Sequence, residues 1–182
     1  MTGNDLNPLS YLVLALVGRG GAGPHDLVDM MRRGGRLYWS AAPSKLYAEP
    51  KRLAARGYLT AETAPGRTGP RTVYRLTAQG ERAVAAWIAA PSRFPRLQHE
   101  AVARLLAADL GDDEDLRRSL SAMRAEVDEL EALLAENRAR AGALPHRARY
   151  LRLVGDLGER LLRAHREWLD EVEAELGTGT GP

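Results

Sequence analysis

Apolar residues recur along the chain with two different periods, and the switch between them organises its first half. Residues 8–17 read Pro-Leu-Ser-Tyr-Leu-Val-Leu-Ala-Leu-Val. Asn7 suits an N-cap, Pro8 the first helical position and Gly18 a left-handed stop, so a short buried helix is expected there. Pro24 can open a second helix on the apolar positions Leu27, Val28, Met30 and Met31, with Gly34 and Gly35 ending it. A third is expected over residues 43–56, with Leu46, Pro50 and Leu53 on one side and Gly57 as its cap. The period then shortens. Residues 58–63 and 71–76 are rich in β-branched and aromatic side chains, and residues 64–70 between them are Ala-Pro-Gly-Arg-Thr-Gly-Pro, which predicts a hairpin with a long basic tip. Thr77 is placed to cap a further helix over residues 78–90, and the Pro-Ser-Arg-Phe-Pro at 91–95 breaks the chain.

Beyond that break the pattern is helical throughout. A short helix is expected over 98–110, followed by two long ones. Leu116, Leu120, Met123, Val127, Leu130 and Leu134 are spaced 4-3-4-3-4, and Tyr150, Val154, Leu157, Leu161, Trp168 and Val172 continue a similar seam toward Leu176. Gly142 and Pro145 separate the two, so an antiparallel hairpin is expected. Leu116, Leu120, Met123, Val127, Leu157, Leu161, Trp168 and Val172 are then candidates for an apolar surface shared with a second subunit. The expected division is a tail at 1–7, a domain of helices and one hairpin at 8–91, a helical domain at 92–176 that dimerises and is the candidate effector domain, and a disordered tail at 177–182. The fold class is mainly α with one small β-hairpin.

Charge sharpens that division. The 182 residues hold 26 basic and 24 acidic side chains, yet residues 1–96 carry fourteen Arg/Lys against six Asp/Glu, and residues 97–182 twelve against eighteen. A basic half joined to an acidic half suggests that the first faces a polyanion. Cysteine is absent, which excludes disulfides, thiolate metal sites and thiol nucleophiles. The longest apolar run is far below the ~20 residues of a membrane helix, and the N-terminus has no basic leader segment, so a soluble cytoplasmic protein without a membrane role is expected.

Three motifs bear on chemistry. Gly18-Arg19-Gly20-Gly21-Ala22-Gly23 matches G-x-G-x-x-G, but no second parallel strand ending in an acid follows, so a plain loop between helices is expected rather than a dinucleotide turn. On the third helix Lys45, Ala48, Arg52 and Arg56 share a stripe, with Lys51 beside it and Leu46 and Leu53 opposite. A basic-faced helix after a shorter one and before a hairpin is the order of a winged helix-turn-helix. At the hairpin tip Arg67, Thr68 and Arg71 supply forked and hydroxyl donors for phosphate, as a wing requires. The four histidines have no metal-ligand spacing, Asp112-Asp113-Glu114-Asp115 reads as a helix start, and no nucleophile signature appears; no catalytic residue, metal or cofactor is expected.

Residues 9–16, then Leu46-Tyr47-Ala48-Glu49-Pro50-Lys51-Arg52-Leu53 with Gly57-Tyr58-Leu59, then Arg71-Thr72-Val73-Tyr74-Arg75-Leu76-Thr77-Ala78-Gln79-Gly80 resemble the PadR family of bacterial transcriptional regulators. The helical second half is similar in pattern to the C-terminal domain of the Vir-type branch. The resemblance implies a non-enzymatic homodimeric repressor that reads an inverted repeat in double-stranded DNA and responds to a small, often aromatic, effector. It implies that Ser44, Lys45, Tyr47 and Lys51 lie at the DNA surface with Arg52 next to them, and that Arg67, Thr68 and Arg71 form the wing. The rival expectation is a winged-helix adaptor that binds proteins and not DNA.

Overall fold

The computed structural model describes residues 6–33, 35–66 and 69–178, and the chain separates into two units, Met1–Arg93 and Phe94–Pro182. The first begins with a capping box. The Asn7 side chain accepts from the Ser10 N–H at 3.0 Å while the Asn7 N–H donates to Ser10 Oγ at 3.0 Å, which starts helix α1 at Pro8–Val17. Ser10, Val13, Leu14 and Val17 face inward, the i, i+3, i+4, i+7 spacing of a single buried stripe. Helices α2 (Pro24–Arg33) and α3 (Pro43–Ala55) follow, joined through a short 3₁₀ turn at Gly35–Leu37. Leu14, Leu27, Leu46 and Leu53 are fully buried and share one core with Val13, Leu59 and Tyr74.

Strands β1 (Leu59–Gly66) and β2 (Gly69–Leu76) pair antiparallel from Leu59 opposite Leu76 to Gly66 opposite Gly69. The hairpin is longer than expected. Pro65 and Pro70 oppose each other in its register, where turn residues were expected, because neither strand has an outer neighbour that needs a proline N–H there. Helix α4 (Ala78–Ala89) is capped by Thr77, whose Oγ1 accepts from the Gly80 N–H and donates to the Gly57 carbonyl. A Cβ on Gly80 would lie 2.2 Å from the Tyr58 carbonyl oxygen, so only glycine allows this close approach of α4 to the hairpin. Trp87 of α4 stacks on Tyr11 of α1 at 5.0 Å.

The second unit comprises α5 (Glu100–Leu106), a 3₁₀ turn at Ala108–Leu110, α6 (Asp113–Ala141) and α7 (Pro145–Thr178). Asp112 caps α6 by accepting from the Glu114 N–H at 2.7 Å, and Asp113, Glu114 and Asp115 lie in its first turn, where negative charge complements the helix dipole. His99 caps α5 through Nδ1, and its ring stacks on His165 and meets Trp168 edge-on. Burial, and then the charge of His165, hold the His99 imidazole below its ordinary range, which keeps Nδ1 available as the acceptor.

Several expectations change here. Leu6 is buried in the core and Asn7 is the α1 cap, so these two residues belong to the fold and not to a tail; an apolar residue just before an N-cap is placed to pack back on its helix. Helix α7 runs through Thr178, past the expected start of the C-terminal tail, since a glycine at a helix end costs little where the ladder already frays; residues 179–182 lie outside the described residues. Leu116, Leu120 and Val127 are buried within the unit, and Met123 is half-buried. The inner line of α7 is Gly155, Gly158, Leu162 and Leu169; Leu161, Trp168 and Val172 flank it half-buried, and Leu157 is exposed. The α6 seam is therefore consumed by the chain's own hairpin.

Candidate nucleic-acid interface

Helix α3 presents two chemically distinct faces. Pro43 occupies its first position without a side-chain cap on Ala42, and Leu46, Glu49, Pro50 and Leu53 are buried. Ser44, Lys45, Ala48 and Lys51 are exposed on the opposite side, and Tyr47 and Arg52 lie half-buried at its margins. Neither Lys45 nor Lys51 makes an ion pair among the described residues. Four acids of this unit are used elsewhere: Asp26 holds Arg71, Asp29 holds Arg32 and Arg33, Glu49 holds Arg52 and Glu62 holds Arg75. With those four carboxylates occupied by arginines, the two lysines are left as outward point charges, the form in which lysine meets phosphate.

Arg52 departs from the expected basic stripe. Its Nε donates to Glu49 Oε2 at 2.9 Å, and its Nη2 reaches Glu49 Oε1 at 2.5 Å and Ser10 Oγ at 2.8 Å. Ser10 Oγ in turn donates to Glu49 Oε1 at 2.7 Å. For the Glu49 carboxyl, burial acts to raise its pKa, but hydrogen bonds from Arg52 and Ser10 and the charges of Arg52 and Arg56 outweigh it and hold the group below the usual carboxylate range. Sequence reasoning missed Glu49 and Ser10. A signal was present, because at 100° per residue Glu49 falls about 60° from Leu46 and about 40° from Leu53, on the packed side.

Tyr47 is oriented by α2. Its hydroxyl lies 3.0 Å from His25 Nδ1, and the two rings meet edge to face. Arg71, on β2, donates from Nη1 to Asp26 Oδ2 at 2.9 Å, and the same oxygen accepts from the Gly23 N–H at 2.8 Å. Arg71 is half exposed and ties the hairpin to the start of α2. Arg67 and Thr68 lie outside the described residues.

The glycine-rich loop has a structural assignment. It joins α1 to α2, and Ala22 exchanges two backbone hydrogen bonds with Tyr74, its N–H donating at 3.0 Å and its carbonyl accepting at 2.9 Å. This single bridge adds a third, one-residue strand beside β2. Gly21 has φ +75°, and a Cβ there would lie 2.9 Å from the Tyr74 carbonyl. The motif therefore serves close backbone approach within a winged helix, not a pyrophosphate.

Two family models divide the chain between them. The transcriptional regulator PadR-like family matches residues 13–86, and the virulence activator alpha C-terminal domain matches residues 97–177. The chain belongs to the PadR-like family of transcriptional regulators. Among solved structures it is similar to Bacillus subtilis PadR in complex with operator DNA, at 22% identity and a TM-score of 0.75 over 97% of this chain and 100% of that one. It is also similar to the Vibrio cholerae virulence activator AphA, at 25% identity and a TM-score of 0.68 over 93% and 98%. A third similar structure is B. subtilis PadR in complex with p-coumaric acid, at 20% identity and a TM-score of 0.66 over 93% and 96%. No curated protein matches the chain. The PadR-like fold is a winged helix with a helical C-terminal region, and family and fold are those of regulators, not enzymes. No helix among the described residues is long and apolar enough to cross a membrane.

Proposed function

We propose that this PadR-like regulator is a repressor that binds an inverted-repeat operator as a homodimer and is released by a small aromatic ligand. The observation that carries the DNA reading is the outer face of α3, where Lys45 and Lys51 have no ion pair among the described residues while the unit's Asp26, Asp29, Glu49 and Glu62 are paired with arginine. In this reading α3 enters the major groove with Ser44, Lys45, Tyr47 and Lys51 toward the DNA, and the hairpin carries Arg71, Arg67 and Thr68 as the wing. The N-terminal domain, residues 8–91, binds DNA, and residues 92–176 dimerise. The operator complex of one structural neighbour and the p-coumaric acid complex of another support the DNA and effector classes. An operator-bound repressor acts in the cytoplasm, on the chromosome.

Selection from a random duplex library at about 150 mM salt, where non-specific binding is weak, tests this reading. Recovery of an inverted repeat with half-sites about 10 bp apart is expected. Transcription from a promoter bearing that repeat should fall on adding the protein and recover on adding a phenolic acid. A folded protein that recovers no preferred sequence would overturn the reading in favour of a protein-binding adaptor.

A further inference from the structure

Helix α3 carries a proline in its interior. Pro50 has no N–H to offer the Leu46 carbonyl, so the backbone ladder is weakest in the middle of the helix that presents Lys45 on one side of the gap and Lys51 on the other. A hydrogen-bonded cluster spans that weak point. Glu49, immediately before Pro50, and Arg52, two residues after it, are joined by two contacts, and both close on Ser10 of α1. Ser10 is itself fixed by the Asn7 capping box. Its hydroxyl lies 2.7 Å from Glu49 Oε1 and 3.1 Å from Asn7 Oδ1, the shorter contact being the one to Glu49, and its oxygen receives the Asn7 N–H and the Arg52 Nη2. Ser10 is wholly buried and Glu49 is 7% exposed.

We infer that Glu49, acting through Arg52 and Ser10, is a positioning residue that sets the register and bend of α3 for sequence reading. A buried, fully satisfied polar cluster adds little net stability compared with apolar packing, because desolvation offsets the attraction; its distinctive effect is to select one arrangement among several of similar packing energy. Leu46 and Leu53 keep α3 on the core whatever its exact rotation. The Glu49 cluster ties that rotation to a single serine on a single capped helix. Phosphate contacts by long flexible lysines tolerate a small error in rotation, whereas contacts to base edges do not. Loss of Glu49 therefore acts on specific binding.

This inference rests on the DNA reading, and its test separates the two. The operator recovered by selection and a scrambled duplex of the same length are titrated with the intact protein, with Glu49→Gln and with Ser10→Ala, and thermal unfolding is recorded in parallel. Operator binding should weaken about tenfold in each variant, the scale of a coupling within one network. Scrambled-duplex binding should stay equal, or tighten for Glu49→Gln, which removes a negative charge from a DNA-binding unit. A merely destabilised protein would lose both duplexes together, and that result, or unchanged operator binding, would overturn the inference. Ser10→Ala removes one hydroxyl without adding volume and keeps the test decisive if Glu49→Gln fails to fold. Equal binding of both duplexes by the intact protein would overturn the operator reading and this inference with it.

Discussion

Lys51 and Arg52 are adjacent in sequence and have opposite destinations. The lysine is exposed without an ion pair among the described residues, and the arginine is committed to Glu49 and Ser10. Lys51→Ala should accordingly weaken DNA binding and reduce the slope of log affinity against log salt by about one, with the preferred sequence unchanged; fluorescence anisotropy between about 50 and 200 mM salt measures both. Glu49 predicts an acid response. Its carboxyl is depressed in the folded protein, so the unfolded chain binds its proton first. The stabilisation is fully present above the ordinary value of 4.5 and is lost as pH falls through the depressed folded value. Urea unfolding of the intact protein and of Glu49→Gln should show a constant stability gap between pH 7 and about pH 5 that narrows below it.

The loop between α1 and α2 shows how a motif can be decided by its neighbour. Gly21 stands at positive φ against β2, whereas a Cβ on Gly20 would meet nothing within 4 Å. Gly21→Ala should cost about 1–3 kcal/mol through backbone strain and loss of the Ala22–Tyr74 bridge, and Gly20→Ala less than about 0.5 kcal/mol; thermal unfolding of the two variants provides the comparison. In the second unit, three arginine forks align the hairpin. Arg124 binds Asp170 and Glu173, Arg166 binds Asp128 and Glu131, and Arg138 binds Asp156 and Glu159. Hydrogen bonds to Glu131 and Asp128 raise the Arg166 pKa further above its already high range. Each fork spans two carboxylates one turn apart on the facing helix. Exposed pairs of this kind contribute little energy singly, but the three together specify which rotation of α7 faces α6.

In the proposed dimer the two seams part company. With Leu116, Leu120 and Val127 covered by the same chain, α7 still presents an apolar stripe on its outside, Tyr150, Leu153, Val154 and Leu157, each half exposed or more. These positions follow i, i+3, i+4, i+7, the spacing of a face that packs on another helix. A two-fold DNA reader needs both half-sites bound at once, so its affinity depends on the dimer. Leu157→Glu should shift the protein toward monomer in sedimentation velocity and weaken inverted-repeat binding by about 10²-fold, the low end of the gain from linking two sites. A single half-site should bind as before.

Read from the residues alone, the chain was already a winged helix-turn-helix joined to a helical hairpin. Punctuation by Asn7, Pro8, Pro24, Pro43, Thr77 and Pro145 and the change from helical to strand periodicity are local signals, carried by caps, φ preferences and side-chain alternation within a few residues. The same local logic placed Lys45 and Lys51 on an exposed face. What it left open depended on partners distant in sequence. Arg52 turns inward because of Ser10, 42 residues away, and Arg71 is held by Asp26, 45 residues away. The rotation of α7 was undecidable from periodicity because apolar residues cover more than one of its faces. Leu162 and Leu169 became its buried line once α6 supplied carboxylates and an arginine on either side. A charge written in sequence is only a capacity to bind; packing decides whether that capacity is used within the chain or remains for DNA.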